Sequence, residues 1–372
     1  MSKVKWVRLG DYIAPIERRN YTKQFGIESV RGISNTKEIM PTKAKVDEDV
    51  ISKFYVIYPN EFIYNPRTTR MGDKVGLAYN YTNKPLLFSF NNLAFGIKED
   101  KSNAILPEYL YLYLSRDEFD RYARVNSWGS ATELFTFEDL SLMRIPLPSL
   151  SEQQKVVNVW KAFREIKEQN EAKAAPLMQL CQSYIQELKH KYPAQEIGPY
   201  IEEVDERNSD LSIKLSQGIA NTKVFQDPKQ VAANSKADKI VRTGYFGYNR
   251  ATTRNGEKIS IAYRTGPDCT VSSAYGVFKI TDEEHLNPYF LWMWVSRPEF
   301  DRYARYMSKG SAHEFFEMDE MRRVRIPLPP LDVQCAIVNI YKCANEAKQI
   351  AAEADILSRT VCPALIQHVI HN

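Results

Sequence analysis

The sequence lacks long apolar runs, and this absence excludes the membrane-spanning class. Nowhere do its 372 residues contain an apolar stretch of the roughly 18–20 residues that a spanning helix needs. The opening segment, MSKVKWVRLGDYI, has no apolar signal core, so export is not expected. We therefore expect a cytoplasmic protein with no membrane partner.

Cysteine and histidine are sparse and poorly spaced for metal binding or disulfides. No CxxC pair, HxxxH or HExxH spacing occurs, and the cysteine count is odd. Disulfide frameworks and zinc sites both rely on regular spacing of these residues. We therefore expect reduced thiols and no metal site. The five cysteines are Cys181, Cys269, Cys335, Cys343 and Cys362.

Catalytic motifs are also lacking. The chain has no GxxxxGK[ST] phosphate loop, and no glycine-rich loop for a methyl donor follows a strand. Tyr64-Asn65-Pro66 resembles the Asn-Pro-Pro-aromatic site of adenine methyltransferases only in part, because the second proline and the aromatic residue are missing. Pro267-Asp268 is not followed by the Glu-x-Lys of a nuclease. We predict a non-catalytic chain.

What the chain does contain is an internal duplication. Residues 115–131 and 296–312 share 13 of 17 positions at an offset of 181, and residues 62–79 and 246–263 share 10 of 18 at an offset of 184. Such a period far exceeds the 20–50 residues of solenoid repeats. It indicates two similar domains, and we expect them to be related by a pseudo-two-fold axis.

Each copy has a globular part followed by a helical part. Short β-branched and aromatic runs predict strands at 54–58, 86–90 and 270–280, and apolar spacing predicts helices at 110–124 and 289–305. Both globular parts end at an Ile-Pro-Leu-Pro segment, where two prolines enforce an extended chain. The predicted fold class is α+β, with two similar mixed α/β domains separated by two long antiparallel helices. The boundaries are 1–149 (domain 1), 150–193 (central helix), 194–329 (domain 2) and 330–372 (distal helix).

The two helical parts are long and amphipathic. Apolar residues recur at helical spacing through 150–190 and 331–370, with Ser151 and Asp332 as expected N-caps, Gln154 completing a capping box and Pro176 as a kink or break. Forty residues of helix span about 60 Å. Because such helices would expose an apolar stripe if single, we expect an antiparallel coiled coil.

Two loops at matching positions are candidates for nucleic-acid contact: residues 65–70 (NPRTTR) and 249–254 (NRATTR). Arginine suits guanine and phosphate, asparagine suits adenine, and threonine hydroxyls suit either. The alternative is a solvated turn between strands, in which asparagine and threonine are turn residues. The net charge of +4 is too small to decide between them, but both loop segments are locally basic.

Two further repeated segments are candidates for the same surface. A Gly-Ser-Ala turn ends residues 115–131 and 296–312 and could hold a phosphate or simply form a tight turn. The segments RGISNTK (31–37) and QGIANTK (217–223) also match. The candidate DNA-contacting residues are Asn35, Lys37, Asn65, Arg67, Thr68, Thr69, Arg70, Lys74, Ser130 and Thr132 in the first copy, and Asn221, Lys223, Asn249, Arg250, Thr252, Thr253, Arg254, Lys258, Ser311 and His313 in the second.

With these motifs the whole chain resembles the specificity subunit of type I restriction-modification systems. The segment RIPLPSLSEQQKVV (144–157) is similar to that family's junction between recognition domain and helix, and VRLGDYI (7–13) is similar to its usual start. The second junction departs from the pattern, reading Leu-Asp-Val-Gln-Cys (331–335) instead of Ser-Glu-Gln-Gln. This puts in question whether both helices bind partners equally well.

The resemblance implies a non-catalytic subunit that reads a bipartite, asymmetric site in double-stranded DNA. Each domain would read one half, and the helices would set the spacing. Two methyltransferase (modification) subunits carrying S-adenosylmethionine would dock alongside and methylate adenine, and restriction subunits could join them. This chain itself would bind no cofactor, and its host would be bacterial or archaeal. Differences such as Arg67 against Ala251 imply two different half-sites.

A second interpretation comes from a different class. Two protein-binding domains on a coiled-coil spacer would form an adaptor that does not bind DNA. Salt-dependent binding to duplex DNA distinguishes the two, because neutralising phosphates releases counterions.

Overall fold

The computed structural model describes residues 4–42, 46–68, 74–129, 132–228, 235–252, 258–310 and 314–371. The chain divides into two compact units: unit 1 comprises Met1–Gln169 and Ile350–Asn372, and unit 2 comprises Asn170–Gln349. Each unit therefore holds one globular part and a portion of both long helices. The domain boundaries predicted from the sequence stay a prediction. In the described part of the chain, no helix is long and apolar enough to cross a membrane.

Unit 1 is built on a four-stranded antiparallel sheet. Its strand order is Ile13–Ile16, Leu93–Ile97, Phe62–Tyr64, Leu77–Tyr79. One face of this sheet packs on the helices of the unit, and Phe62, Phe95 and Tyr64 form aromatic contacts in that core. Three two-stranded antiparallel pairs complete the unit: Lys5–Arg8 with Arg144–Leu147, Arg31–Ile33 with Ile39–Pro41, and Tyr55–Ile57 with Leu86–Phe88.

Unit 2 repeats this topology strand for strand. Its four-stranded sheet has the order Ile201–Glu203, Tyr275–Ile280, Phe246–Asn249, Ile261–Tyr263. Its two-stranded pairs are Ala194–Glu196 with Arg325–Pro327, Gly218–Ile219 with Phe225–Gln226, and Lys239–Val241 with Cys269–Val271. The duplication seen in the sequence is therefore a duplication of the fold, and the predicted α+β class is confirmed.

The first pair in each unit explains the Ile-Pro-Leu-Pro segment. The segment is extended, as its prolines require, and it pairs with the strand that opens the same copy. The beginning and the end of each globular part are thereby hydrogen-bonded together.

Helices cover the sheets and connect the strands. The α-helices of unit 1 before the long helix are Glu48–Ile51, Pro107–Leu114, Asp117–Val125 and Phe137–Leu142, with 3₁₀ turns at Leu9–Asp11, Ile27–Ser29 and Glu99–Lys101. Those of unit 2 are Pro288–Val295, Pro298–Met307 and Met318–Arg322, with a 3₁₀ turn at Gly198–Tyr200.

Two sequence expectations need correction here. The single helices predicted at 110–124 and 289–305 are each two helices, because Arg116 and Arg297 are extended (ψ of 155° and 153°). Pro298 requires this of the residue before it. The strand predicted at 270–280 is two strands, Cys269–Val271 and Tyr275–Ile280, which belong to different sheets.

The long helices, Leu150–Lys191 and Leu331–His371, pair antiparallel within each unit. In unit 1, Trp160 shares a core with Cys362 and Ile366, and further along the helix Lys167 Nζ lies 2.7 Å from Asp355 Oδ1. Partner numbers fall as helix numbers rise, which defines the antiparallel direction. In unit 2 the two helices share a core that includes Cys181 and Ile185 of the first and Ile337 of the second, and Cys181 Sγ lies 4.0 Å from Ile337 O. The first helix continues through Pro176, so the break considered from the sequence does not occur.

The start of each long helix is fixed by a buried glutamine rather than by the predicted caps. The first helix begins at Leu150, and Ser149 Oγ accepts a hydrogen bond from Glu152 N at 3.3 Å, so Ser151 is not the cap. Likewise Asp332 lies inside the first turn of the second helix.

Gln153 is fully buried and bonds Leu106 N (2.8 Å) and the carbonyls of Ala104 and Pro148. In unit 2, Gln334 makes the three equivalent bonds, to Asn287 N, His285 O and Pro329 O. The second junction therefore keeps the one residue of the Ser-Glu-Gln-Gln motif that ties the helix to the globular part.

Candidate nucleic-acid interface

The paired loops, residues 65–70 and 249–254, each follow a central strand of the sheet and begin with an asparagine turn. Asn65 Oδ1 accepts a hydrogen bond from Arg67 N at 3.0 Å, and Asn249 Oδ1 accepts one from Ala251 N at 3.1 Å. A side chain that closes its own backbone turn in this way is an Asx turn. The carboxamide oxygens predicted to face adenine are thus used to shape the loops.

Each loop is held against a second segment, the tip hairpin, which we define as residues 128–134 and 309–315. In unit 1, Thr68 N donates to Glu133 O at 3.3 Å, and Phe135 N donates to Pro66 O at 2.8 Å. In unit 2, Thr252 N donates to Glu314 O at 3.0 Å. Two segments that are about 65 residues apart in sequence therefore form one surface in each unit.

The threonines of these loops are buried by this contact. Thr68 and Thr252 are 5% and 4% exposed. Thr252 Oγ1 lies 3.0 Å from Ser308 Oγ and donates to Glu314 O at 3.2 Å. Both hydroxyls serve the packing of loop on hairpin, so we remove both threonines from the proposed DNA contacts.

The glycine of each Gly-Ser-Ala segment, Gly129 or Gly310, lies in the tip hairpin. Trp128 and Leu134 exchange backbone hydrogen bonds of 3.1 and 3.0 Å, and Lys309 and Phe315 do so at 3.0 and 2.9 Å. Gly129 has a φ of 146°, and a Cβ placed there would lie 2.2 Å from Thr132 O. The turn therefore needs glycine for steric reasons, which supports the tight-turn interpretation. Thr132 is exposed beside it.

Two of the four lysines predicted to contact DNA, Lys37 and Lys223, are buried in ion pairs. Lys37 Nζ lies 2.8 Å from Asp120 Oδ1, with side chains 4% and 6% exposed. Lys223 Nζ lies 2.8 Å from Asp301 Oδ1, with side chains 7% and 8% exposed. Burial lowers the pKa of each lysine, and the aspartate beside it opposes that shift. We therefore remove both lysines from the proposed DNA contacts as a correction.

These ion pairs hold strained turns onto the helices. Lys37 and Lys223 have positive φ values of 63° and 65°, which non-glycine residues adopt only when their surroundings impose it. Each aspartate also accepts a backbone bond, from Val75 N (2.9 Å) or Ile259 N (3.3 Å), the chain that leaves the paired loop. The pair thus fixes one end of the loop.

The remaining predicted residues fall into four groups. Asn35, Asn221, Lys74 and Lys258 are exposed, and Asn35 and Lys74 line a small cavity beside the long helices with Lys37. Arg67 is half-buried. Arg250 braces its own domain, because its Nε donates to Ala274 O at 3.0 Å and its Nη1 lies 3.2 Å from Glu317 Oε2. Outside the described residues lie Thr69, Arg70, Ser130, Thr253, Arg254, Ser311 and His313.

A group of exposed side chains that sequence reasoning missed surrounds the tip hairpin. In unit 1, Val125 and Trp128 are 75% and 71% exposed. At the matching positions of unit 2, Tyr306 is 86% exposed and the Lys309 side chain 75%. Exposed aromatic and apolar groups next to loops with basic residues can contact base edges, including the thymine methyl.

A signal for this group was present in the sequence. Only four positions differ between residues 115–131 and 296–312, and three of them, Val125, Asn126 and Trp128 of the first copy, lie at this surface. Because the other positions of this segment are identical in the two copies, the positions that vary are those that the fold does not constrain.

Comparison with known proteins agrees with this architecture. Residues 4–175 match the family model described as type I restriction modification DNA specificity domain. The chain carries a type I restriction-modification DNA specificity domain. The family predicted from the junction motif is thereby confirmed. Beyond residue 175, unit 2 has the same fold by strand-for-strand repetition.

Solved structures support the same fold. The chain is similar to the crystal structure of a type I restriction-modification system S subunit from M. genitalium, with a TM-score of 0.66 at 12% identity, covering 99% of this chain and 97% of that chain. At this identity the likeness shows the fold alone.

Two other similar structures have lower scores. One is a chain from work on complex assembly and conformational transition of the type I R-M system (TM-score 0.44, 18% identity, 98% of each chain), and the other is an HsdS subunit from Thermoanaerobacter tengcongensis (0.38, 19%, 99% and 97%). Scores this low add nothing to the fold assignment. No curated protein matches the sequence.

Proposed function

We propose that this chain is the DNA-reading subunit of a type I restriction-modification complex. Each specificity domain reads one half of a bipartite, asymmetric site through its paired loop and tip hairpin. The chain contributes no catalytic group and binds no cofactor. Two methyltransferase subunits, carrying S-adenosylmethionine, dock alongside it and methylate adenine, and restriction subunits join the same complex where the host encodes them.

The observation that supports this proposal is that both units form the same surface, from a paired loop and a tip hairpin, on the same fold. In both units the same buried contacts hold the paired loop against the tip hairpin, while the exposed positions differ: Val125 corresponds to Tyr306, and Trp128 to Lys309. A protein that reads two different half-sites needs this combination of shared positioning and separate readout.

The long helices give the proposal its geometry. Two readers that act on one duplex must face the same side, about 34 Å or a multiple of it apart. A helix of 42 residues has a length of about 63 Å, which is enough to act as a spacer. Joining two modules of modest affinity also raises their combined affinity by effective concentration.

The test is methylation mapping. We would co-express the chain with the methyltransferase encoded beside it and map methylated adenines across the host genome. The proposal expects a single bipartite motif with two unlike halves, lost when this chain is omitted. Methylation that is independent of the chain, or that follows a single undivided motif, would contradict it.

Duplex binding separates this function from that of an adaptor. With the methyltransferase bound, affinity for duplex DNA should fall steeply as salt rises from about 50 to 200 mM. If the assembled complex shows no DNA binding at low salt, the adaptor is the better interpretation.

A further inference from the structure

Unit 2 contains a large open groove between its globular part and its helix pair. The groove has a volume of about 1870 Å³. One wall is formed by the two long helices, at residues 178–186 and 341–349, and the other by residues 222–225, 263–266 and 289–302. All of these residues belong to unit 2, so the groove is a property of that unit by itself.

The corresponding place in unit 1 is a much smaller cavity. Its cavity is about 240 Å³ and is lined by residues that match those of the groove, since Lys37 corresponds to Lys223 and Trp160 to Tyr341. The same arrangement of strands and helices therefore leaves a small cavity in one unit and a much larger groove in the other.

Side chains of the protein itself fill the space in unit 1. The Arg164 guanidinium lies 3.3 Å from the centre of the Tyr81 ring and 4.9 Å from that of Trp160. Glu38 points its half-buried carboxylate into the same region, where burial raises its pKa and the charges of Lys167, Arg164 and Arg359 oppose that shift. A carboxylate and an aromatic ring thus complete a cationic helix face.

Unit 2 lacks the side chains that fill the space in unit 1, but it has lysines at the matching helix positions. At the matching positions Glu38 is replaced by Val224, Tyr81 by Thr265 and Arg164 by Asn345. The helix lysines persist, because Lys161 and Lys167 correspond to Lys342 and Lys348. Asp355, which binds Lys167 in unit 1, corresponds to Ala174.

The charge of the groove is accordingly positive. Two of its cations have acidic partners in the domain: Lys223 binds Asp301 and Arg297 binds Glu299 (2.6 Å). Lys342 lies 4.0 Å from the Tyr289 ring centre, which leaves aromatic and cationic surface side by side. The cations lining the groove are Lys223, Arg264, Arg297, Arg302, Lys342 and Lys348, against the carboxylates Glu299 and Glu346.

We propose that the groove of unit 2 docks a protein segment that presents a carboxylate beside an aromatic ring, supplying from outside what Glu38 and Tyr81 supply in unit 1. The internal filling of unit 1 identifies the chemistry that fits. It also favours a peptide over nucleic acid, because the side chains that fill the space in unit 1 are a carboxylate (Glu38) and a phenol (Tyr81), which peptides carry. Docking at this place is then confined to unit 2, and the proposal does not depend on DNA reading.

The test uses methionine methyl groups as reporters in the full chain. Met178 and Met293 line the groove, whereas Met318 and Met321 are buried elsewhere in unit 2. With ¹³C-methyl methionine, we would titrate the capped peptide Gly-Ser-Glu-Gly-Tyr-Glu-Ser-Gly and the same peptide with both glutamates replaced by glutamine. We expect saturable shifts at Met178 and Met293 alone, with affinity at least about tenfold weaker for the glutamine peptide.

Two variants give matched controls. The triple variant Val224→Glu, Thr265→Tyr, Asn345→Arg grafts the unit 1 filling into unit 2 and should abolish the shifts, while Met318 and Met321 signals report that it has folded. Lys348→Gln should weaken binding without closing the groove. The proposal is overturned by equal binding of both peptides, by no saturable shift, or by a DNA duplex that shifts the same methyls and displaces the peptide.

Discussion

The two units share a frame and differ in two places, the tip hairpin and the helix groove. The shared residues position the chain: the buried ion pairs of Lys37 and Lys223, the buried glutamines Gln153 and Gln334, and the hairpin glycines, whose φ values are positive. The differing residues at the tip hairpin are exposed, and those that replace the unit 1 filling in the helix groove are exposed or half-buried. Residues that recur in both copies therefore hold the fold. If the two units read unlike half-sites, as proposed, the residues that differ between the copies carry that recognition.

The largest expected effect is on the frame. Asp120→Ala leaves the Lys37 ammonium buried without its partner, and removing one member of a buried ion pair costs about 3–5 kcal/mol. Asp301→Ala should destabilise unit 2 by a similar amount. Denaturant unfolding measures both, and Lys74→Ala, at an exposed position, should change stability by less than about 0.5 kcal/mol. If the stability of either aspartate variant is unchanged, the two buried ion pairs do not have the same structural role in the two units.

A smaller effect is expected at the hairpin turns. Gly129→Ala forces an L residue into a φ of 146° and a Cβ against Thr132 O, at a cost of about 1–3 kcal/mol. Gly310→Ala meets the same restriction, with a φ of 145°. Methylation mapping should show each variant losing discrimination in one half of the motif only. Loss in both halves from one substitution would show that the surfaces are not independent.

Substituting one arginine in each paired loop compares the two units at the level of single base pairs. Arg70→Ala should weaken recognition of one half-site and Arg254→Ala that of the other. If an arginine reads guanine, we expect a loss of about 1–3 kcal/mol and a relaxed preference at one base. If it contacts only phosphate, binding should weaken evenly across sequences and the salt slope should fall by about 1. Unchanged motifs in both variants would exclude a reading role for these loops.

The smallest effect on stability, and the most direct test of readout, is an exchange between the units. Val125→Tyr and Tyr306→Val swap two exposed side chains at matching positions, so the free energy of unfolding should change by less than about 0.5 kcal/mol. Methylation mapping should nonetheless show an altered base preference, in one half for each variant. If the motif is unaltered, readout does not involve this end of the helix.

Sequence reasoning captured the duplication, the long paired helices and the closing Ile-Pro-Leu-Pro segment because each leaves a local pattern. It failed where the burial or pairing of a side chain depends on a residue that is distant in the sequence. The sequence does not show that Lys37 is paired, because its partner Asp120 lies 83 positions later and is brought within 2.8 Å only by the fold. Nor does it show that Thr68 is buried, because residue 133, which covers it, is distant in sequence. The split of the predicted helix 110–124 could have been inferred from its second copy, where Pro298 marks the break.

The sharing of both long helices between the units has a consequence for synthesis on the ribosome. Unit 2 is one continuous stretch, 170–349, but unit 1 is completed only by residues 350–372. At about 5–20 residues per second, roughly 10–40 s pass between the emergence of Trp160 and that of its neighbours Cys362 and Ile366. During that interval the apolar face of the first helix has no partner from its own unit. The nascent chain therefore has a defined period of vulnerability to aggregation, and the domain begun first is the one finished last.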